Sequence, residues 1–180
     1  MMLKKYAWGC AFVLFACDTS IKTTEKTGGE DSTQHKKILL KYSPKLQVIF
    51  ETDEWVLRKL NFDDDIRKIQ KPAEAKVLPA EATKTGYSIN LNIYEIADLV
   101  FLYDKNQKIK GFHIETYLSS QEATDSLGKD FAAYFAEKYQ TKFQNSSRKH
   151  ELLNDSLHII IEDVSTQKSP GLQVSINRIR

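Results

Sequence analysis

Alternating apolar and polar residues in the middle of the chain constrain the fold more than any other feature. In residues 87–96 (YSINLNIYEI) every second side chain is apolar up to position 93, which is the period of a strand with one buried face. Residues 98–103 (DLVFLY) and 109–118 (IKGFHIETYL) are two further apolar stretches, joined by the turn-rich segment DKNQK. The pattern predicts antiparallel strands, of which the last two form a hairpin.

A long amphipathic helix follows and can cover the apolar face of those strands. Ser119 and Glu122 have the spacing of a capping box, in which each side chain bonds to the backbone N–H of the other residue. The helix that they begin carries apolar residues on one face, namely Ala123, Leu127, Phe131, Tyr134, Phe135 and Tyr139. Residues 157–164 and 172–179 are predicted as a closing hairpin across the segment STQKSPG.

Three segments precede these elements. Residues 37–50 (KILLKYSPKLQVIF) contain two apolar runs around Ser43-Pro44, which indicates two strands or one bent strand. Residues 55–72 (WVLRKLNFDDDIRKIQKP) are predicted as helical up to Lys71-Pro72, because their apolar residues recur at helical spacing and proline disfavours helix before it. Residues 73–86 are predicted as a connecting loop.

The order of these elements predicts a fold of the α+β class. We expect a single domain over residues 38–180, with an antiparallel sheet of about five to six strands and one long and one short helix packed on one face. A domain of this size can bury enough apolar surface to be stable without covalent cross-links.

The first 17 residues have the parts of an export signal. Lys4 and Lys5 precede 11 uncharged, mostly apolar residues from Tyr6 to Ala16, and Cys17 follows directly. A run of this length is too short to span a bilayer, which takes about 20 helical residues. It has the length of the apolar region of a signal peptide.

The end of this run, Leu14-Phe15-Ala16-Cys17, resembles the lipobox of bacterial lipoproteins. The resemblance implies that residues 1–16 are a signal peptide, that cleavage occurs before Cys17, and that the Cys17 thiol carries a diacylglycerol. Two acyl chains give stable membrane attachment, whereas one gives only marginal binding. We therefore expect a membrane-attached protein of the bacterial cell envelope, on the inner or outer membrane and on the periplasmic or exposed side.

Residues 17–37 are expected to connect Cys17 to the domain as a disordered tether. After the cysteine they contain a single large apolar residue, Ile21. Such a segment buries too little apolar surface to offset the entropy of ordering it. A flexible chain of about 20 residues has a root-mean-square reach on the order of 25 Å.

Composition excludes several classes of protein. The chain has 26 basic and 24 acidic residues, and removal of residues 1–16 would take away Lys4 and Lys5 and leave 24 of each. A nucleic-acid-binding domain should have a basic surface, so no nucleic-acid partner is expected. With Cys10 removed and Cys17 acylated, the domain would have no thiol for a nucleophile, a metal cluster or a disulfide. No cofactor and no metal are predicted.

Two His-Glu pairs are the candidate catalytic residues. His113 and Glu115 alternate on one predicted strand, and His158 and Glu162 share a face of another. If the strands were neighbours, the four side chains could converge for zinc binding or acid–base chemistry, which would make the protein a hydrolase or a metal-dependent enzyme. Ordinary cross-strand pairs on a solvated sheet face explain the same pattern. Trp55 is a candidate binding anchor, although a core position is the alternative for it.

A second resemblance covers residues 55–140. The segment NFDDDIRKIQKP, followed by a meander and a long helix ending near Lys138-Tyr139, is similar to small bacterial envelope lipoproteins of the β-lactamase-inhibitor-like and outer-membrane-assembly type. The resemblance implies binding or assembly, with an envelope protein as partner. The sequence thus favours a lipid-anchored, non-enzymatic module, with the enzyme above as the alternative. A lipoprotein that only tethers or protects a partner is equally compatible with the sequence.

Overall fold

A computed structural model of the chain describes residues 38–179. The regular helices are α1 (Pro44–Phe50) and α2 (Gln121–Tyr139), and a short 3-10 helix, Ile66–Lys68, lies between them in the chain. The strands are β1 (Lys76–Val77), β2 (Lys84–Asn90), β3 (Ile96–Tyr103), β4 (Ile109–Tyr117), β5 (Gln144–Asn145), β6 (Lys149–Leu153), β7 (Leu157–Asp163) and β8 (Gly171–Arg178). Within residues 38–179, neither helix has the length and apolar character needed to cross a membrane.

All eight strands belong to one sheet, in the order β1-β2-β3-β4-β8-β7-β6-β5. Every neighbouring pair is antiparallel. The first four strands form one meander and the last four another, and α2 connects them, so that β4 and β8 pair at the centre. The predicted α+β class is confirmed, whereas the predicted number of five to six strands is wrong.

The buried face of the sheet is apolar. Phe101 of β3 lies opposite Phe112 of β4, and Phe112 lies opposite Ile176 of β8. All three side chains are fully buried. The predicted β3–β4 hairpin and the closing β7–β8 hairpin are confirmed. Because strand side chains alternate between faces, the polar residues between these apolar ones lie on the opposite face.

Both helices pack on the same face of the sheet. The predicted apolar side of α2 is confirmed, since Leu127, Phe131, Tyr134 and Phe135 are buried in the core. The predicted cap is wrong by one residue. The N-cap is Ser120, whose hydroxyl accepts a hydrogen bond from the backbone N–H of Ala123.

The strands predicted in residues 37–50 are wrong, because the structure forms α1 there. Pro44 occupies the start of the helix, where its missing N–H costs nothing and its fixed φ suits the helix. Leu46, Ile49 and Phe50 are buried, which is helical rather than strand spacing.

The helix predicted over residues 55–72 is also wrong, since only Ile66–Lys68 is helical. Acidic side chains in this segment bond to nearby backbone instead. Asp64 accepts from the N–H of Asn61 at 2.8 Å, and Asp65 accepts from the N–H of Arg67 at 3.0 Å. Such local bonds compete with a helix, and Asp63 has a positive φ of 62° that no helix allows.

Two strand boundaries and three strands were not predicted. The strand predicted over residues 87–96 begins earlier, at Lys84, and ends at Asn90, where the chain turns towards β3. The strands β1 and β5, at the two edges of the sheet, have two residues each, and β6 is mostly half-buried with three ionisable residues among its five. Short edge strands of this kind limit pairing between sheets of different molecules.

Candidate functional site

The face of the sheet opposite the helices, which we call the open face, carries the polar strand residues. It is not apolar. Its side chains are mostly half-buried, because neighbouring side chains lie against one another. Its central residues are Ser88, Asp98, Val100, His113, Glu115, Tyr117, Gln173, Ser175, His158, Ile160 and Glu162.

His113 is the centre of a hydrogen-bonded row on the open face. Its Nδ1 lies 3.1 Å from the hydroxyl oxygen of Ser175, and its Nε2 lies 3.0 Å from Oε1 of Glu115. The Tyr117 hydroxyl donates to the other oxygen of Glu115 at 3.1 Å, and the side-chain amide nitrogen of Gln173 lies 3.2 Å from Nε2 of His113. Burial and the bond to Glu115 raise the pKa of Tyr117.

The row has the order serine, histidine, carboxylate. If Nε2–H of His113 donates to Glu115, Nδ1 is free to accept the proton of Ser175, as in the activation of a nucleophilic serine. Acyl transfer also needs donors for the developing oxyanion. The strands β4 and β8 pair with each other through His113 and Ser175. Their backbone N–H groups are hydrogen-bonded within the sheet and do not serve as such donors. The geometry therefore favours a structural row of contacts, within β4 and between β4 and β8, on one face of the sheet.

The second predicted pair is separate from the first. His158 contacts Glu151 of β6, with 2.5 Å between Nε2 and Oε1, and Glu162 lies opposite Lys149 and Gln173 in the strand register. The bond from His158, followed by one from Lys149, lowers the pKa of Glu151. His158 is on β7, which β8 separates from His113 on β4.

The structure thus brings His113 and Glu115 together but leaves His158 and Glu162 outside that contact. Within residues 38–179, no three His, Cys, Asp or Glu side chains are close enough to hold a metal ion. Sequence reasoning missed Ser175, Gln173 and Glu151. Each was visible only as a polar position in an alternating strand, and its partner depends on the strand order.

A groove with a volume of about 600 Å³ lies at one end of the open face. Its side chains come from four consecutive strands and the segment after β1. We call these the groove residues: Lys76, Val77, Leu78, Pro79, Ser88, Ile96, Asp98 and Tyr117. The strand order places residues 76–79 on one side, Ile96 and Tyr117 on the other, and Ser88 and Asp98 between them.

The sides of the groove are apolar and unusually exposed. Val77 is 59% exposed, Tyr117 is 42% exposed and Ile96 is 36% exposed. Single exposed apolar side chains are common, but a contiguous group around a concave surface is typical of an interaction site. Tyrosine is enriched in such sites because its ring is apolar and its hydroxyl is polar.

The floor of the groove is acidic. Asp98 accepts a hydrogen bond from the Ser88 hydroxyl, and it lies directly opposite Glu115 in the β3–β4 register. Like charges in directly opposite positions destabilise a sheet. Among the ion pairs of residues 38–179, none involves Asp98. Asp98 is therefore the carboxylate that a cationic group in the groove would meet, and Lys76 is the basic residue of the same lining.

Trp55 lies on the other side of the sheet. It is half-buried, and its backbone carbonyl accepts a hydrogen bond of 2.6 Å from the Lys138 ammonium group of α2. That ammonium group lies near the faces of Tyr134 and Tyr139, at 5.4 and 5.7 Å from the ring centroids. Burial lowers the pKa of Lys138 to about 8. The bond between Trp55 and Lys138 thus joins a loop to α2, on the side of the sheet away from the groove.

The first described residues are fastened to the domain by side-chain hydrogen bonds. The acceptors are carboxylates of α2 and of the loop after α1, and Asp53 among them is only 2% exposed. A chain that enters the domain here is held before it reaches α1. The bonds run from Leu39 N–H to Asp53 (2.8 Å), from the Tyr42 hydroxyl to Glu137 (2.9 Å) and from Ser43 N–H to Asp130 (3.2 Å).

Cys17, the signal peptide predicted over residues 1–16 and the tether predicted over residues 17–37 lie outside the described residues. Comparison of the chain with models of protein families, with curated proteins and with solved structures finds no match. Lipidation and the likeness to envelope lipoproteins therefore stay predictions from the sequence. The open face and its groove are the candidate site that the geometry itself provides.

Proposed function

We propose that the protein is a lipid-anchored protein of the bacterial cell envelope that binds a partner in the groove of its open face. The observation that carries this proposal is the groove itself, in which exposed apolar side chains surround an acidic floor. Anchoring at Cys17 is the second component, and it rests on the lipobox pattern.

The partner that fits the groove is a polypeptide segment with an apolar side chain next to a basic one. Ile96 and Tyr117 offer apolar contact, and a lysine or arginine would meet Asp98. Exposed aromatic and aliphatic side chains supply most of the binding free energy at such sites, while charges select the partner and speed its approach. Contact and charge are sufficient for this role, and no chemical step is required.

Anchoring would increase the effect of a modest affinity. A tether of about 20 residues confines the domain to a thin layer above the bilayer, so that a second protein in the same layer is met at a high effective concentration. Bonds such as that from Leu39 N–H to Asp53 hold the end of the tether against the domain.

A photo-crosslinking residue in place of Tyr117 is expected to capture an envelope protein in intact cells. The same residue in place of Leu153 is the control, since Leu153 is 60% exposed and lies on the opposite end of the sheet. Asp98→Asn keeps an acceptor for Ser88 but removes the charge, and it should weaken capture roughly tenfold, as expected for one charge pair.

Equal capture from positions 117 and 153 would contradict a specific groove. Capture from position 117 that does not change in Asp98→Asn would contradict the basic character of the partner.

A further inference from the structure

We infer that the turn between β2 and β3 contacts the surface of the membrane that holds the anchor. This inference rests on the proposed lipid anchor at Cys17. We call residues 91–95 the β2–β3 tip. The outermost side chains of the tip do not pack in the core. The tip lies beside the groove, because Ile96, a groove residue, follows it directly.

The β2–β3 tip presents two adjacent apolar side chains to solvent. Ile93 is 85% exposed and Tyr94 is 81% exposed, the highest values among the large apolar side chains of residues 38–179. A branched aliphatic side chain beside a tyrosine suits the boundary between headgroups and acyl chains, where aromatic rings with a polar end are enriched.

The conformation of the tip is fixed by its own hydrogen bonds. The Asn92 side-chain oxygen accepts from the N–H groups of Tyr94 (2.8 Å) and Glu95 (3.0 Å), and Leu91 N–H donates to the Glu95 carbonyl at 2.8 Å. Ile93 is therefore held at the apex of a tight turn and does not fold back onto the sheet. A rigid loop loses little conformational entropy when it binds.

The base of the tip contains a charge that is already paired. The Glu95 carboxylate is 1% exposed and accepts from Lys45 Nζ at 2.7 Å. It also accepts from the N–H (3.1 Å) and the hydroxyl (2.7 Å) of Ser119. Residues 90–94 carry no charge, so no unpaired charge has to leave water when Ile93 and Tyr94 enter the interface.

The length of chain before the domain allows the tip to reach the membrane. Twenty residues separate Cys17 from Ile38, and fully extended they span at most about 70 Å. The chain enters near the end of α2, where Tyr42 bonds to Glu137, whereas the base of the tip lies at the start of α2, where Glu95 bonds to Ser119. The 19 residues of α2 span about 28 Å, so the reach of the tether is sufficient for the tip to meet the bilayer. A contact of two side chains is too weak to recruit a free protein, but it can orient a tethered one because the tether raises the effective concentration.

Quenching of tryptophan fluorescence by brominated lipids tests this inference. The lipidated full-length protein would be isolated from its membranes with Tyr94→Trp or, as a matched control, Leu153→Trp, and reconstituted into phosphatidylcholine–phosphatidylglycerol vesicles with brominated acyl chains. After subtraction of the parent protein's emission, the tryptophan at position 94 should lose most of its emission, while the one at position 153 should keep it.

Two results would overturn the inference and are distinguishable. If the protein floats with the vesicles but position 94 is not quenched, or is quenched no more than position 153, the protein is anchored but the tip does not contact the membrane. If the protein does not float with the vesicles, the anchor fails, and the inference fails with it.

Discussion

Replacing Phe50 with alanine should lower the free energy of unfolding by about 3–5 kcal/mol, as expected for the loss of a fully buried phenylalanine. Phe50 is the last residue of α1 and is 0% exposed. Its ring centroid lies 4.9 Å from that of Tyr134, 5.6 Å from that of Phe135 and 5.9 Å from that of Phe131. A helix of seven residues is not stable alone, so this aromatic cluster is what holds α1 to α2.

Val48→Ala is the matched control for that substitution. Val48 is in the same helix but is 39% exposed, and its truncation should cost less than about 1 kcal/mol. Urea unfolding followed by circular dichroism measures both variants. Equal losses of stability would mean that the cluster around Phe50 does not hold α1 in place.

Glu95 should make the stability of the domain depend on pH in the acid range. Burial alone would raise the pKa of its carboxyl group, but the bonds from Lys45 and Ser119 outweigh burial and lower the pKa to about 2, from an ordinary value of 4.5. The folded state therefore binds the proton less tightly than the unfolded state. The stabilisation is fully present above pH 4.5 and is lost as the pH falls towards 2, by up to about 3 kcal/mol.

Glu95→Gln isolates this contribution from that of other carboxylates. The variant keeps a side chain of the same shape but has no group to protonate, so its stability should fall less steeply between pH 4.5 and pH 2. It should also be less stable than the parent protein at pH 7, because the Lys45 ammonium group loses its charged partner. Parallel stability curves for the parent protein and the variant would contradict this role of Glu95.

The elements predicted correctly are those whose pattern is local. The apolar runs of β3 and β4, joined by a turn-rich segment, and the helical spacing of Leu127, Phe131 and Phe135 are long enough to decide between strand and helix. In residues 37–50 the apolar residues are too closely spaced for the pattern to distinguish strand from helix, although Leu46, Ile49 and Phe50 have the spacing of a helix face. There the general strand preference of an apolar run was misleading.

The candidate site depends on contacts that a single sequence does not encode locally. His113 and Ser175 meet because β4 pairs with β8, across the whole length of α2 and three intervening strands. The groove requires β1 to lie beside β2, yet Lys76–Val77 is too short to be recognised as a strand. The row around His113 and the groove beside Tyr117 therefore follow from the topology, while the polar residues themselves were identifiable from the alternation.

We propose that the mature protein begins at a lipidated Cys17 and presents its groove near a membrane. Mass spectrometry of the protein isolated from its native membranes, with Cys17→Ser as the comparison, tests it most directly. We expect an N-terminus at Cys17 carrying the mass of acyl chains, and an unacylated product in the variant. A parent protein that retains residues 1–16 and carries no acyl group would show that it is not anchored at Cys17.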